Sequence, residues 1–179
     1  TTLVLDKTGT LTSGRPRGTD IVTAPGWTVD DVLGLAASAD QLSPHVLAAA
    51  IVAEARLRDL SLSMPSDARE EAGTGVSAMV DGRRVHVGNL DIGSSDGDIA
   101  GWAASGLSRA ALDGAVVAWV RVDGELVGAI LLADPLRPDA PRTLRRLRAA
   151  GITRLVMLTG DRPAPAQQVG TVLGLDEVA

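Results

Sequence analysis

Two apolar runs, each followed at once by small polar residues, stand near the two ends of the chain. The first, Thr2–Leu5, precedes a polar segment that opens with Asp6, and the second, Leu155–Leu158, precedes Thr159. Short apolar runs that end in turn-forming residues are typical of buried parallel strands. A helix is predicted from Ala140 to Ala150, between the two runs. This strand–helix–strand order predicts that Asp6 and Thr159 lie at the same sheet edge, where ligands bind in open α/β sheets.

The middle of the chain has a different pattern, in which strand-like runs flank two Asp-Gly pairs. The pairs are Asp81-Gly82 and Asp123-Gly124, and the flanking runs are Val76–Val80, Arg83–Val87, Val116–Val122 and Glu125–Leu132. Asp-Gly supplies the two positive φ angles of a type I′ turn, so two β-hairpins are predicted. Apolar spacing and capping residues predict the remaining elements. These are a strand at 20–24, a helix N-capped by Thr28 that ends at Ala39, a helix with Pro44 in its first turn that ends near Leu60, and a short helix from Ile99 to Leu107.

These two patterns together predict an antiparallel α+β domain inserted into an α/β domain with a parallel sheet. Breaker residues at Ser13–Gly18 and two prolines within Ala133–Asp139 mark the predicted hinges between them. The predicted division is residues 1–17 and 133–179 for the parallel domain and 18–132 for the inserted domain. A chain that opens on a core strand and closes without an evident cap is interpreted as an excised piece.

Composition and charge exclude several classes of function. With 179 residues, 45% of them hydrophobic, the chain is long enough to bury a core. A net charge of −5 argues against nucleic acid as the main partner, and the arginines from Arg142 to Arg148 have the spacing of a solvated helix face. The absence of cysteine excludes thiolate metal sites, and no run approaches the roughly 20 apolar residues that cross a bilayer.

Asp6 is the candidate nucleophile. A carboxylate at a strand end, followed by Gly9 and small hydroxyl residues, suits attack on a phosphoryl group. Phosphatases of the haloacid dehalogenase superfamily carry a second aspartate two residues further on, which activates water against the acyl phosphate. Thr8 stands at that position here. An aspartyl phosphate on Asp6 is therefore expected to form and persist.

The string Asp6–Thr12, DKTGTLT, resembles the phosphorylation motif of P-type ATPases, and Thr159-Gly160-Asp161 resembles their TGD motif. Arg162 replaces the Asn usual after TGD. The resemblance implies a partial haloacid dehalogenase-like, Rossmann-type sheet. It also implies catalytic roles for Asp6, Lys7, Thr8, Thr159, Gly160 and Asp161, with Mg²⁺ at Asp6 and Thr8. Asp134 and Arg137 match the family's DxxR hinge motif, which implies contact with nucleotide and phosphate; a hinge salt bridge is the alternative for Arg137.

The segment Ser43–Ala48, SPHVLA, is similar to the Ser-Glu-His-Pro-Leu-Ala signature of heavy-metal-transporting P-type ATPases, with Pro44 and Val46 as departures. The resemblance implies that His45 orients adenine and that Asp40 contacts the purine. Gly73 and Gly75, in a Gly-x-Gly pattern, and Asn89 after Gly88 complete the implied nucleotide pocket. Taken singly, His45 would be read as a surface or capping residue, and the Gly-x-Gly as a turn. Loss of the Pro after His45 predicts ATP affinity below the family norm.

The resemblance thus implies the ATP-binding and phosphorylation segment of an ion-translocating ATP hydrolase, which uses MgATP to form an aspartyl phosphate and drive metal export. Its implied partners are the transmembrane and actuator domains of the same parent chain and a transported metal ion bound elsewhere, and its implied location is the cytoplasmic face of the cell membrane. Nothing after Asp161 resembles the family's Lys or GDGxND segments, so this piece is expected to bind nucleotide but turn it over poorly. The alternatives are a soluble haloacid dehalogenase-superfamily phosphatase with a large cap domain and a non-catalytic nucleotide-binding module.

Overall fold

A computed structural model describes residues 1–71, 73–89, 99–104, 108, 114–161 and 163–179. Their elements, in chain order, are β1 (Thr2–Asp6), β2 (Arg17–Thr23), α1 (Val29–Asp40), α2 (Val46–Leu57), β3 (Ser66–Glu71), β4 (Gly75–Val80), β5 (Arg83–Gly88), α3 (Ile99–Trp102), β6 (Val116–Val122), β7 (Glu125–Ala133), α4 (Ala140–Ala149), β8 (Arg154–Leu158), α5 (Pro163–Leu173) and β9 (Glu177–Val178). They form two compact units, one made chiefly of Thr1–Pro16 and Asp134–Ala179, the other chiefly of Arg17–Ala110 and Ala115–Ala133.

The first unit is a parallel sheet with strand order β1-β8-β9. β1 and β8 pair with Asp6 opposite Leu158, so Thr159 directly follows the residue that faces Asp6 across the strands. Leu155 and Met157 of β8 are fully buried, and they pack in one core with the buried Leu144 of α4 and Leu173 of α5. This packing confirms the predicted strand–helix–strand order.

The prediction of a buried first strand is wrong for β1. Leu3 and Leu5 pack against the core, whereas Val4 between them is 51% exposed. β1 lies at the edge of the sheet, and its side chains alternate between exposed and half-buried. The run is apolar throughout, but only alternate side chains contact the core of this unit.

The second unit is an antiparallel sheet of six strands in the order β2-β7-β6-β5-β4-β3. The two predicted hairpins are confirmed, with Val80 opposite Arg83 and Val122 opposite Glu125. The turn residues have the positive φ angles that a type I′ turn requires: 49° at Asp81, 77° at Gly82, 52° at Asp123 and 90° at Gly124. Helices α1 and α2 cover one face of this sheet and share its core.

The ends of several helices and strands differ from the sequence predictions. Thr28 caps α1 as predicted, in a reciprocal capping box with Asp31. The second helix begins at Val46 rather than at Pro44, because His45 is its N-cap, and it ends at Leu57. β2 begins at Arg17, earlier than predicted, and α3 covers 99–102; residues 105–107 of the predicted helix lie outside the described part of the chain. β3, α5 and β9 were not predicted.

None of the helices in the described ranges combines the length and the apolar character needed to cross a membrane.

Candidate functional site

A cavity of about 370 Å³ opens in the antiparallel unit, between the ends of α1 and α2 and the strands β3 to β6. Five of the seven residues that the resemblance assigned to the nucleotide lie in its wall: Asp40, His45, Gly73, Gly75 and Asn89. The other two, Asp134 and Arg137, do not line this cavity. The remaining wall includes apolar side chains, among them Ile51, Val76, Val87 and Val117. A concave site that is mostly apolar and carries a few convergent polar groups is the usual form of a small-molecule pocket.

The two ring nitrogens of His45 have different roles: one caps a helix, and the other is left for a ligand. Its Nδ1 accepts a hydrogen bond from the backbone N–H of Leu47 at 3.2 Å, which caps α2. An accepting Nδ1 carries no proton, so the neutral ring has its proton on Nε2. The cap therefore fixes which nitrogen of His45 is left to donate to a ligand.

Asn89 is bonded to the Gly73-Thr74-Gly75 turn, which also lines the cavity. Its side-chain Nδ2 donates to the carbonyl of Gly73 at 2.9 Å, and its backbone N–H donates to the carbonyl of Thr74 at 2.8 Å. Gly75 and Gly88 face each other across β4 and β5. The two glycines allow the strands to approach closely where they enter the cavity wall.

Asp40 is the most buried ionisable side chain of the cavity. It is the last residue of α1 and is only 4% exposed. Burial, with a smaller contribution from the negative charge of Glu70, raises the pKa of Asp40 from 3.8 to about 7. Glu70 and Ser43 also line the cavity and are hydrogen-bonded to each other at 3.2 Å. Sequence reasoning missed Glu70 because the strand that carries it was not predicted.

The other candidate site is the carboxyl end of β1 and β8 in the parallel unit. Asp6 is exposed at the end of β1. Lys7 forms an ion pair with Asp161. The Thr159 hydroxyl accepts a hydrogen bond from the backbone N–H of Asp161 at 3.1 Å, which leaves its own proton available for donation. The DKTGTLT and TGD segments thus meet at one sheet edge.

Asp134 holds the connector that follows the DKTGTLT segment. Its carboxylate accepts hydrogen bonds from the hydroxyls of Thr12 (2.6 Å) and Ser13 (2.8 Å) and from the backbone N–H groups of Gly14 (3.1 Å) and Arg15 (3.2 Å). Partial burial raises the pKa of Asp134, but these four hydrogen bonds outweigh it, and the net pKa lies below the ordinary value. The Thr12 hydroxyl in turn accepts from the N–H of Gly9 at 3.0 Å.

Arg137 holds the same loop from the other side. Its guanidinium donates to the carbonyl oxygens of Gly9 and Thr10, both at 3.0 Å. Within the described residues Arg137 forms no ion pair, so the structure offers no support for the alternative of a hinge salt bridge. Thr12 was not singled out by the sequence, yet its hydroxyl accepts the N–H of Gly9, while Arg137 donates to the carbonyl of the same residue.

The residues at this edge fit Mg²⁺ only if the phosphate of the substrate supplies part of its coordination shell. No cluster of three or more His, Asp or Glu side chains suited to a metal occurs in the described part of the chain. Asp6 offers one exposed carboxylate. Mg²⁺ commonly binds through one or two carboxylates, with water and substrate phosphates completing its shell, and it would neutralise phosphate charge there.

Comparison with known proteins identifies the family of this chain and its relatives. The family model for haloacid dehalogenase-like hydrolases matches residues 1–179, and the chain belongs to that family. Its curated relatives are heavy-metal P-type ATPases. A copper-exporting P-type ATPase of Mycobacterium tuberculosis is 42% identical over 99% of this chain, and a manganese-exporting P-type ATPase of the same species is 38% identical over 98%.

Solved structures of heavy-metal P-type ATPases resemble this chain as well. A crystal structure of a zinc-transporting PIB-type ATPase matches 97% of this chain with a TM-score of 0.81 and 36% identity, and the matched region is 28% of that protein. The two M. tuberculosis relatives are likewise matched over only 22% and 25% of their length. The metals in the names of these relatives differ, although their identities to this chain are similar.

Proposed function

We propose that this chain is the ATP-binding and phosphorylation segment of a heavy-metal-transporting P-type ATPase. Residues 18–132 bind the nucleotide, and residues 1–17 and 133–179 carry the phosphorylated aspartate. The parent chain would contribute actuator and transmembrane domains, with the metal site in the latter and this segment on the cytoplasmic face. One observation carries the proposal: Asp40, His45, Gly73, Gly75 and Asn89, spread over 50 positions of sequence, form the wall of one cavity.

The chemistry proposed for the parallel unit is phosphoryl transfer to Asp6. A carboxylate oxygen of Asp6 forms a bond to the γ-phosphorus while the bond from that phosphorus to the β,γ-bridging oxygen breaks, and ADP leaves. The Thr159 hydroxyl and the Gly160 N–H are assigned to the phosphoryl oxygens. With Thr8 two residues after Asp6, no carboxyl group at that position activates water, and the acyl phosphate is preserved for the transport cycle.

The first test is ATP binding by the chain itself, measured by titration calorimetry. Wild-type chain is expected to bind ATP, and Asn89→Ala to bind it at least about tenfold more weakly, because that variant loses the amide that braces the Gly73 turn and faces the ligand. Gln168→Ala is the matched control: it removes an exposed amide from α5, in the other unit, and should leave affinity unchanged. Absence of ATP binding by the wild-type chain would contradict the proposal.

The second test concerns turnover. The chain alone is expected to show little Mg²⁺-dependent ATP hydrolysis and little radiolabelled phosphoprotein in acid-quenched samples, since the Lys and GDGxND motifs have no counterpart in its sequence. Asp6→Asn, which removes the nucleophile, sets the background for both measurements. Rapid hydrolysis of a generic phosphomonoester by the wild-type chain would instead favour the phosphatase alternative.

A further inference from the structure

Asp40 combines deep burial with the absence of a partner. Its carboxyl group lines the cavity and forms no hydrogen bond or ion pair with any residue that the structure describes, although the residue is only 4% exposed. It also lies at the C-terminal end of α1. The carbonyl groups at a helix C-terminus carry partial negative charge and oppose a further negative charge there. An ionised Asp40 is therefore disfavoured by both its position and its burial.

The charged groups around Asp40 do not reverse this effect. Among the described residues of the cavity wall, the other titratable side chains are His45, at the start of α2, and Glu70, on β3. The parts of β4 and β5 that reach the wall contribute glycines and valines. His45 uses its Nδ1 to accept the backbone N–H of Leu47 as the cap of α2. Glu70 therefore supplies a like charge, and no lysine or arginine in that described wall offsets it.

We propose that Glu70 helps keep Asp40 in its neutral, proton-carrying form, and that this form selects adenine in the nucleotide pocket. The inference rests on the proposed nucleotide-binding function and adds a specificity-determining residue, Glu70, which acts through Asp40. A neutral carboxyl group has one donating O–H and one accepting carbonyl side by side. Adenine presents the complementary pair, the N6 amine as donor beside a ring nitrogen as acceptor. The neutral Asp40 thus makes two hydrogen bonds where an ionised Asp40 makes one.

Ionisation changes the preferred base. A carboxylate is acceptor-only, and it matches the two adjacent donors of guanine, N1–H and the N2 amine, better than it matches adenine. Removing the proton from Asp40 should therefore weaken ATP binding and improve GTP binding relative to it. The pKa of about 7 places this change within reach of ordinary buffers.

The test is the ratio of ATP to GTP affinity, measured by calorimetry on the full chain at pH 6.5, 7.5 and 8.5. For wild type, the ratio is expected to fall by about tenfold across this range, the loss of one hydrogen bond in a partly charged pair. Asp40→Asn keeps a donor and an acceptor of the same size without a titrating group, so its ratio should stay flat. Proton release by the triphosphates is common to both proteins and cancels in the comparison.

Glu70→Gln separates the proposed role from simple repulsion of the triphosphate. The amide keeps the contact with Ser43 but removes the negative charge, so Asp40 should ionise more readily and the fall in the ratio should begin roughly half a pH unit lower. A residue that merely repels phosphate would, when neutralised, strengthen ATP and GTP binding equally at every pH. Glu125→Gln, an exposed change of the same kind at the β6–β7 turn, should behave as wild type.

Ligand-free thermal unfolding gives an independent readout. The pKa of Asp40 is higher in the folded chain than in the unfolded chain, so folding takes up a proton between about pH 4 and 7 and stability falls as pH rises through that window. The midpoint temperature of Asp40→Asn should fall less across the window than that of wild type. ATP binding with a pH-independent ratio, or with Asp40→Asn following wild type, overturns this inference alone. No ATP binding at any pH overturns the proposed function as well.

Discussion

Replacing Gly75 by alanine is expected to destabilise the antiparallel unit severely, whereas the same change at Gly73 is expected to be mild. Gly75 has φ of 134°, and a Cβ there would lie 2.1 Å from the carbonyl oxygen of Val87 and 2.6 Å from the Cα of Gly88. Both clashes are with backbone, so the β4–β5 pair would have to separate. We expect a loss of at least about 3 kcal/mol in the free energy of unfolding, measured with urea.

Gly73 provides the matched comparison within the same Gly-x-Gly pattern. Its φ is 85°, but a Cβ there meets no atom within 4 Å. Gly73→Ala should therefore cost only about 1 kcal/mol in backbone strain while still placing a methyl group in the cavity wall, and it should weaken ATP binding more than it weakens the fold. Gly34→Ala, in α1 and also without a neighbour within 4 Å, should stabilise by about 0.5 to 1 kcal/mol. Equal stabilities for the Gly73 and Gly75 variants would refute the close-approach explanation.

Elements set by neighbouring residues were predictable from the sequence. The Asp-Gly pairs determine their hairpins because the turn needs two positive φ angles in succession, and the observed angles at Asp81 and Gly82 meet that need. Thr28 likewise identifies the start of α1 through a capping box with Asp31. In each case the signal and the structure it determines lie within about four residues, so no knowledge of the remaining fold is required.

Elements that depend on distant partners were not predictable. β3 is Ser-Asp-Ala-Arg-Glu-Glu, a sequence with almost no apolar face, and it is a strand because it pairs with β4 at the edge of the sheet. Charged edge strands of this kind oppose further pairing and give no period-2 hydrophobic signal. The missed strand explains the missed site residue, since Glu70 reaches the cavity only through that pairing. α5 was missed for a related reason, because its two prolines and small residues make a weak helix pattern.

The bonds around Asp134 show the same limit in the parallel unit. The DxxR spacing was recognisable, but its contacts with Thr12 and Gly14 join residues more than 110 positions apart in sequence. Nothing local indicates that the last threonine of DKTGTLT, rather than a nucleotide, is what this carboxylate holds in the structure. The DxxR spacing therefore identified Asp134 as a candidate site residue, but it did not indicate which atoms the carboxylate contacts.

Asp134→Ala is expected to destabilise the parallel unit by roughly 2 to 4 kcal/mol, because four donors lose one shared acceptor. The expected loss is largest near neutral pH. The pKa of Asp134 is lower in the folded chain than its ordinary 3.8, so its stabilisation is present above that value and disappears as pH falls through the folded pKa. Wild type and variant should therefore converge in stability towards low pH. Asp139→Ala is the matched control, since Asp139 lies in the same connector, is exposed and makes no capping hydrogen bond.

A double-mutant cycle with Thr12→Val tests whether Asp134 acts through Thr12 on the loop after Asp6. The valine keeps the size of the side chain but removes the hydroxyl that links Asp134 to the N–H of Gly9. We expect a coupling of about 1 to 2 kcal/mol between the two changes, and faster hydrogen exchange at the Gly9 amide in either single variant. Thr12→Ser, which retains the hydroxyl, should restore slow exchange. Strictly additive energies with unchanged exchange at Gly9 would mean that Asp134 only fastens the connector and does not act on the loop that carries Thr8 and Gly9.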